Sequence, residues 1–185
     1  MSLLPLPDWS VLVSEVPASD EPAVLARLYG PLVFKAAYRV LGDASQAEDV
    51  QQTVFLKLIE SKPKKVDSWP AYLASSAVRG AIDLLRRQRR WWRILPSWDS
   101  QDIASDESPE QIGMDHERRK RLRSALAQLP RRESQCFSLR HLQGMEIGEI
   151  AQVMELSENN VNVTLHRARR RLEAHLGEVK KEQTP

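Results

Sequence analysis

From Asp20 onward, apolar residues recur every three or four positions. Leu25, Leu28, Leu32 and Ala36 make the first such stripe, the spacing that stacks side chains on one face of an α-helix. Pro22 suits its first turn, where a missing amide proton costs nothing, and Gly42 can close it. Asp43 then opens a second helix as an N-cap, with Gln46 three residues on completing a capping-box pattern. Val50, Val54, Leu58 and Ile59 are its expected buried stripe, and Glu48, Asp49 and Gln52 its polar, acidic outer face. A basic loop, "SKPKKVDSWP", separates it from a third helical stretch running from about Trp69 to Arg93. There Leu73, Ala77, Ala81 and Leu84 fall on one side, and Arg79, Asp83, Arg86, Arg90 and Arg93 on the other, which predicts an amphipathic helix with a basic back.

Periodicity then stops. In "ILPSWDSQDIASDESPEQIGMD", Pro, Ser, Asp and Gly displace the apolar repeat, which predicts a linker over 94–115. It resumes with Leu122, Ala125, Leu126 and Leu129 before Pro130, then Cys136, Phe137, Leu139 and Leu142. The segments "IGEIAQVM" and "ENNVNV" follow, joined by a three-residue turn, and have the form of a helix-turn-helix. Ala151 provides the small residue where the two helices meet, and Ser157 the N-cap of the second. Along that second helix Val161, Leu165, Ala168 and Leu172 face inward, leaving Asn159, Val163, His166, Arg167 and Arg170 outside. Glu155 occupies a turn position that often requires a left-handed backbone, a cost of roughly 1 kcal/mol or slightly more for a non-glycine residue.

No stretch reads as a strand. The expected fold is therefore all-α, with two small helical domains joined by an acidic linker and the helix-turn-helix in the second. By number, 1–19 is an N-terminal extension, 20–93 the first domain, 94–115 the linker, 116–176 the second domain and 177–185 a tail.

Charge adds what periodicity cannot. The 185 residues carry a formal net charge of only +2, yet from Ile94 to Glu117 there are seven acidic residues and no Lys or Arg, with basic blocks on either side. One cysteine, Cys136, excludes an internal disulfide. The N-terminus lacks the positive start of a secretory signal, and no apolar run approaches the roughly 20 residues of a membrane span, so a cytoplasmic protein is expected. The four histidines are scattered, with no nucleophile arrangement, phosphate-cradling Gly loop or metal spacing. Neither an enzyme, a metal site nor a cofactor is expected.

The outward residues of the last helix suit a DNA major groove. Asparagine can bond an adenine edge bidentately, Val163 can meet a thymine methyl, and arginines pair with phosphate or guanine. A solvated helix end enriched in Arg by the helix dipole is the plainer alternative.

Taken together, "GDASQAEDVQQTVFLKL", "WPAYLASSAVRGAIDLLRRQRR" and "LPRRESQCFSLRHLQGMEIGEIAQVMELSENNVNVTLHRARRRL" resemble, in that order, regions two and four of bacterial RNA polymerase sigma factors of the extracytoplasmic-function (ECF) class. The resemblance implies an alternative sigma factor that binds core RNA polymerase, reads minus-thirty-five and minus-ten promoter elements and promotes strand opening. It implies core docking through Asp43, Glu48, Asp49 and Gln52. Minus-ten recognition and melting would fall to Lys62, Lys64, Lys65, Arg79, Asp83, Arg86, Arg87 and Arg90. Minus-thirty-five recognition would fall to Ser157, Asn159, Asn160, Asn162, Val163, His166, Arg167 and Arg170. It further implies an anti-sigma factor as a partner, and a linker lying in the polymerase's positively charged RNA channel. Two departures from the family pattern stand out: Val78 and Arg79 where an Arg-Asn pair is common before "AID", and Asn162 and Thr164 where Lys or Ser and Arg are common.

Trp69 is expected to anchor the core. Trp91 and Trp92 either stack on single-stranded DNA or pack at the domain edge, with packing slightly favoured. The competing function is a dimeric helix-turn-helix regulator that binds an operator by itself. Such a regulator has no use for a basic melting helix or for an acidic docking face.

Overall fold

In the computed structural model the described residues are 20–61, 63, 66–94 and 109–182, and they form helices without strands. Helix α1 spans Pro22–Leu41, α2 Ala44–Ser61 and α3 Trp69–Ile94. Then come α4 (Pro109–Gln128), α5 (Arg131–Phe137), a π-helical turn (Ser138–Leu142), α6 (Ile147–Met154) and α7 (Glu158–Glu182).

The helix ends follow from local chemistry. Gly42 closes α1 in the left-handed region (φ 69°, ψ 15°), and its amide donates back to Tyr38 O. Asp43 Oδ1 accepts from the Gln46 amide at 2.8 Å, capping α2. The Gln46 side-chain carbonyl accepts instead from Gln88 Nε2 of α3 (2.9 Å), so this second half of the expected box serves to join two helices.

Helices α1–α3 form the first module. Its core is Leu25, Tyr29, Leu32, Val33, Ala36, Ala37 and Val40 of α1, Ala47, Val50, Val54 and Leu58 of α2, and a broad face of α3. Leu28 and Ile59 are exposed, contrary to the expected stripes. At about 100° per residue, Ile59 lies a full step past Leu58 and leaves the stripe, whereas Ala47 falls on it. In α3 the buried face extends beyond Leu73, Ala77 and Ala81 to Val78, Ile82 and Leu85, while Leu84 is only half-buried. The widening has a plain cause: α3 packs against α1 and α2 and also against α4 and α5. Trp69 is buried, with Nε1 donating to Asp20 Oδ1 at 2.6 Å, and anchors the start of α3 as expected.

Helix α4 begins at Pro109, so the end of the expected linker is helical backbone. Asp99, Asp102, Asp106 and Glu107, its acidic centre, lie outside the described residues. The second module divides its apolar residues between two clusters. Ala125, Leu126, Leu129, Ala168 and Leu172 form one between α4 and α7. Ala127, Cys136, Leu139, Met145, Ile150, Ala151 and Val161 join the first module's core, which is therefore continuous across both.

Candidate nucleic-acid and polymerase interfaces

The helix-turn-helix is α6, a turn and α7. Glu146 and Glu149 form a reciprocal capping box at the start of α6, satisfying two amides that would otherwise lack partners. Glu155 ends α6 in the left-handed region (φ 53°, ψ 49°), the conformation expected of that turn. The Asn160 amide donates to Ser157 Oγ (3.3 Å), so Ser157 caps α7. Val161 and Ala168 are fully buried, Leu172 nearly so and Leu165 partly. Ser157, Asn159, Asn160, Asn162, Val163, His166, Arg167 and Arg170 are all exposed on one continuous surface. Thr164 is turned back on its own helix, its Oγ1 donating to Asn160 O at 2.6 Å.

The module is braced from behind. Arg171 Nε lies 3.3 Å from Glu133 Oε2, tying α7 to α5 across a carboxylate that is largely buried. This pair lacks hydrogen-bond geometry, so Glu133 Oε2 is compensated by charge alone. The Gln143 amide donates to Ser138 O, five residues back, which closes the π turn. Within that turn the His141 ring sits 4.6 Å from Phe137. Burial, then the charges of Arg169 and Arg140, hold its imidazole below the ordinary histidine range. Burial pushes the Cys136 thiol up to about 11 against the opposing pull of Arg132. It is a core residue touching Met154 sulfur at 3.4 Å.

The basic back of α3 is less open than its sequence suggests. Arg79, Arg87 and Arg90 are exposed. Arg86, however, donates to Leu129 O at 2.6 Å, and Asp83 pairs with Arg131 at 2.7 Å. Both partners belong to the second module. Val78, at the first of the two departures from the family pattern, is fully buried and unavailable to a ligand. Lys62, Lys64 and Lys65 lie outside the described residues, as does the Trp92 side chain. Trp91 is 66% exposed rather than packed at the domain edge.

On α2, Glu48, Asp49 and Gln52 stand exposed, and Asp43 sits at the helix start as its cap. Leu56 (60% exposed) and Ile59 (51% exposed) continue this outer surface toward the C-terminus. Sequence reasoning missed both, having assigned Ile59 to the core. An acidic end running into exposed apolar residues is a surface suited to a basic protein partner with an apolar centre. Among the described residues, no group of three or more His, Cys, Asp or Glu is placed to hold a metal ion, and no helix is long and apolar enough to cross a membrane.

Three outward faces on two helical modules, one of them a helix-turn-helix, have counterparts in known proteins. Residues 25–91 match the model of sigma-70 region 2, and residues 119–172 that of sigma-70 region 4. The ECF RNA polymerase sigma factor SigX of Bacillus subtilis is 29% identical over 156 residues, covering 81% of this chain and 80% of that protein. SigE of Mycolicibacterium smegmatis is 28% identical over 87% of this chain and 62% of its own length. SigL of Mycobacterium tuberculosis is 27% identical over 88% of this chain and 94% of its own length. The fold is shared with CnrH, solved in complex with the cytosolic domain of CnrY, at a TM-score of 0.55 and 20% identity over 91% of this chain and 96% of that one. The chain belongs to the sigma-70 family, and within it to the ECF class. It is an alternative sigma factor, acting in transcription initiation.

Proposed function

We propose that this chain divides initiation among its three faces. The α2 surface of Glu48, Asp49 and Gln52, with Asp43 at its edge, docks on a basic element of core RNA polymerase. The basic back of α3 (Arg79, Asp83, Arg86, Arg87 and Arg90), with Lys62, Lys64 and Lys65 ahead of it, takes the minus-ten element and helps separate its strands. The α7 surface from Ser157 to Arg170 reads the minus-thirty-five element in the major groove. The observation carrying this reading is the unbroken exposed surface of α7, polar at its N-terminal end and arginine-rich beyond, above a capped helix-turn-helix.

The chemistry separates the roles along α7. Asn159, Asn160 and Asn162 come first, where a recognition helix meets base edges, and Arg167 and Arg170 follow, where phosphates run past. With Asn162 and Thr164 in place of basic residues, the early part of the helix contributes little to counterion release and more to base reading. On α3, guanidinium groups neutralise phosphate while exposed Trp91 offers a ring on which an unpaired base can stack. The acidic segment around Asp99–Glu107 occupies the polymerase's positively charged RNA channel. The chain works in the cytoplasm, where core polymerase acts, and its regulator is an anti-sigma factor.

Start-site mapping on a genomic fragment library with purified core enzyme, with and without the protein, tests the assignment. New start sites sharing two separated elements are expected. Folded protein that yields none overturns it. Replacing Asp49 and Gln52 together with Ala is expected to weaken core binding by about fivefold or more. Unchanged affinity would reject the α2 face.

A further inference from the structure

Helices α1 and α2 form a hairpin, since only Gly42 and Asp43 separate them. Gln51 Nε2 donates to Gly30 O at 3.0 Å and fixes its register. Counting outward from that pair, Phe55 lies level with Ala26, and Ile59 with the first turn of α1. Ala23 and Arg27 share one row of α1, and Phe55 and Ile59 one row of α2. The rows face each other across the outer seam of the hairpin, where Ala23 and Arg27 are exposed and Phe55 is half-buried.

The α2 side of this seam is apolar and open. Elsewhere among the described residues, exposed Trp91 and Val163 belong to surfaces assigned above to DNA, while Leu28 and Leu176 stand singly. Leu56 and Ile59 are the exposed apolar pair that share one helix face, being three residues apart. They give the docking surface of Glu48, Asp49 and Gln52 an apolar end. Adjacent apolar residues left in water beside a polar docking surface mark a contact site.

The nineteen residues ahead of Asp20 have the composition to cover it. They hold Leu3, Leu4, Leu6, Trp9, Val11, Leu12, Val13 and Val16, the acids Asp8 and Glu15, and no Lys or Arg. Solvated tails are poor in such side chains, as in 177–185, where Val179 is the one large apolar residue. The end of the segment is fixed beside the seam: Asp20 Oδ1 accepts from Trp69 Nε1 at 2.6 Å, and Pro22 begins α1. From Asp20 back to Val16 the chain can span about 14 Å, more than the roughly 8–10 Å between packed helix axes. Val16 therefore reaches the Ile59 end of the seam, and the residues before it are enough to follow the seam toward Gln52. Arg27, exposed on the α1 side, offers a charge to Glu15 or Asp8. Tethering also keeps the segment at a local concentration on the order of millimolar, which favours even a small apolar contact.

Resting on the core-docking assignment above, we propose that residues 3–16 fold back along the α1–α2 seam and cover Leu56 and Ile59, so that core polymerase must displace them to take the α2 face. The apparent affinity for core then falls in proportion to the uncovered fraction. Leu56 and Ile59 serve two occupants in turn: the chain's own N-terminal segment in the free protein, and polymerase once bound.

Hydrogen exchange in the full chain reads the contact without polymerase. Amides of residues 3–16 are expected to exchange at least tenfold more slowly than in a synthetic peptide of residues 1–19. The variant L56D/I59D, changed only at exposed positions and checked for folding by circular dichroism, is expected to return them to the peptide rate. Peptide-like exchange in the wild-type chain, or slow exchange that survives L56D/I59D, overturns the proposal. Slow exchange that appears only as protein concentration rises assigns the face to a second copy, and overturns it as well.

Core binding reads the competition. A chain lacking residues 2–16, and the full-length variant L6D/L12D, are each expected to bind core enzyme at least threefold more tightly than wild type. Equal or weaker binding by both overturns the competition. If D49A/Q52A leaves core affinity unchanged, the docking assignment itself fails, and the exchange comparison still decides whether the segment lies on the seam.

Discussion

Helices α3 and α7 carry nearly the same outward chemistry and live in different surroundings. Each is long, amphipathic and lined with arginines on the face away from its core. On α7 the outward residues stand in water, and the inward face has a single job, packing on α4 to α6. Helix α3 meets five helices and the π turn, and its outer face gives Asp83 and Arg86 to a neighbouring module. Composition alone therefore does not tell a free arginine-rich face from an engaged one. What decides is which other element is long enough and near enough to cover it.

The largest expected effect tests whether the modules are separate folding units. Leu73→Ala, in the continuous core, should cost about 2–5 kcal/mol in urea unfolding, as should Leu126→Ala in the α4–α7 cluster. Hydrogen exchange separates them: L73A should raise amide exchange in both modules, and L126A chiefly in α4 and α7. Identical exchange patterns would mean that the two clusters are energetically one.

Next in size is the DNA contribution of the freer face. Arg167→Ala with Arg170→Ala should weaken minus-thirty-five binding by about 1–3 kcal/mol for each arginine that pairs with a base edge. Where the arginine pairs with a phosphate, the slope of log affinity against log salt should fall by about 0.9 for each. Titrations by fluorescence anisotropy at several salt concentrations read both quantities.

Much of this was legible in the sequence. The all-α fold, the helix-turn-helix, the Ser157 cap and the left-handed turn at Glu155 follow from spacing and residue type, because they depend on neighbours within a few positions. Ile59 and Leu28 were misplaced because a stripe read at i+3 and i+4 drifts, and only the partner helix decides where its edge lies. Gln143 was invisible for a different reason. A polar residue in a short loop looks solvent-bound until a module more than a hundred residues away in sequence supplies Ala36 O and Arg39. Asp83 and Arg86 were correctly placed on an outer face, but their partners on the second module were beyond any local pattern.

A smaller effect bears on the turn that sets α7 in place. Glu155→Gly removes a side chain from a left-handed backbone and should stabilise the second module by about 1 kcal/mol or less. A rise in the urea midpoint with unchanged DNA affinity is expected. The smallest effect is on pH. The folded His141 pKa is lowered, so the unfolded chain takes up its proton first, and the stability tied to this group is complete above the unfolded value near 6.5 and is lost as pH falls below it. H141Q should flatten that acid limb of the stability profile in urea unfolding series.

The most direct test sets the two faces against each other at one promoter, using permanganate reactivity of unpaired thymines together with footprinting. With core enzyme present, R79A/R90A is expected to leave the minus-thirty-five footprint in place and abolish reactivity around minus ten. R167A/R170A is expected to remove the footprint itself. Undiminished strand opening by R79A/R90A, or an intact upstream footprint with R167A/R170A, would contradict the division of promoter reading between α3 and α7.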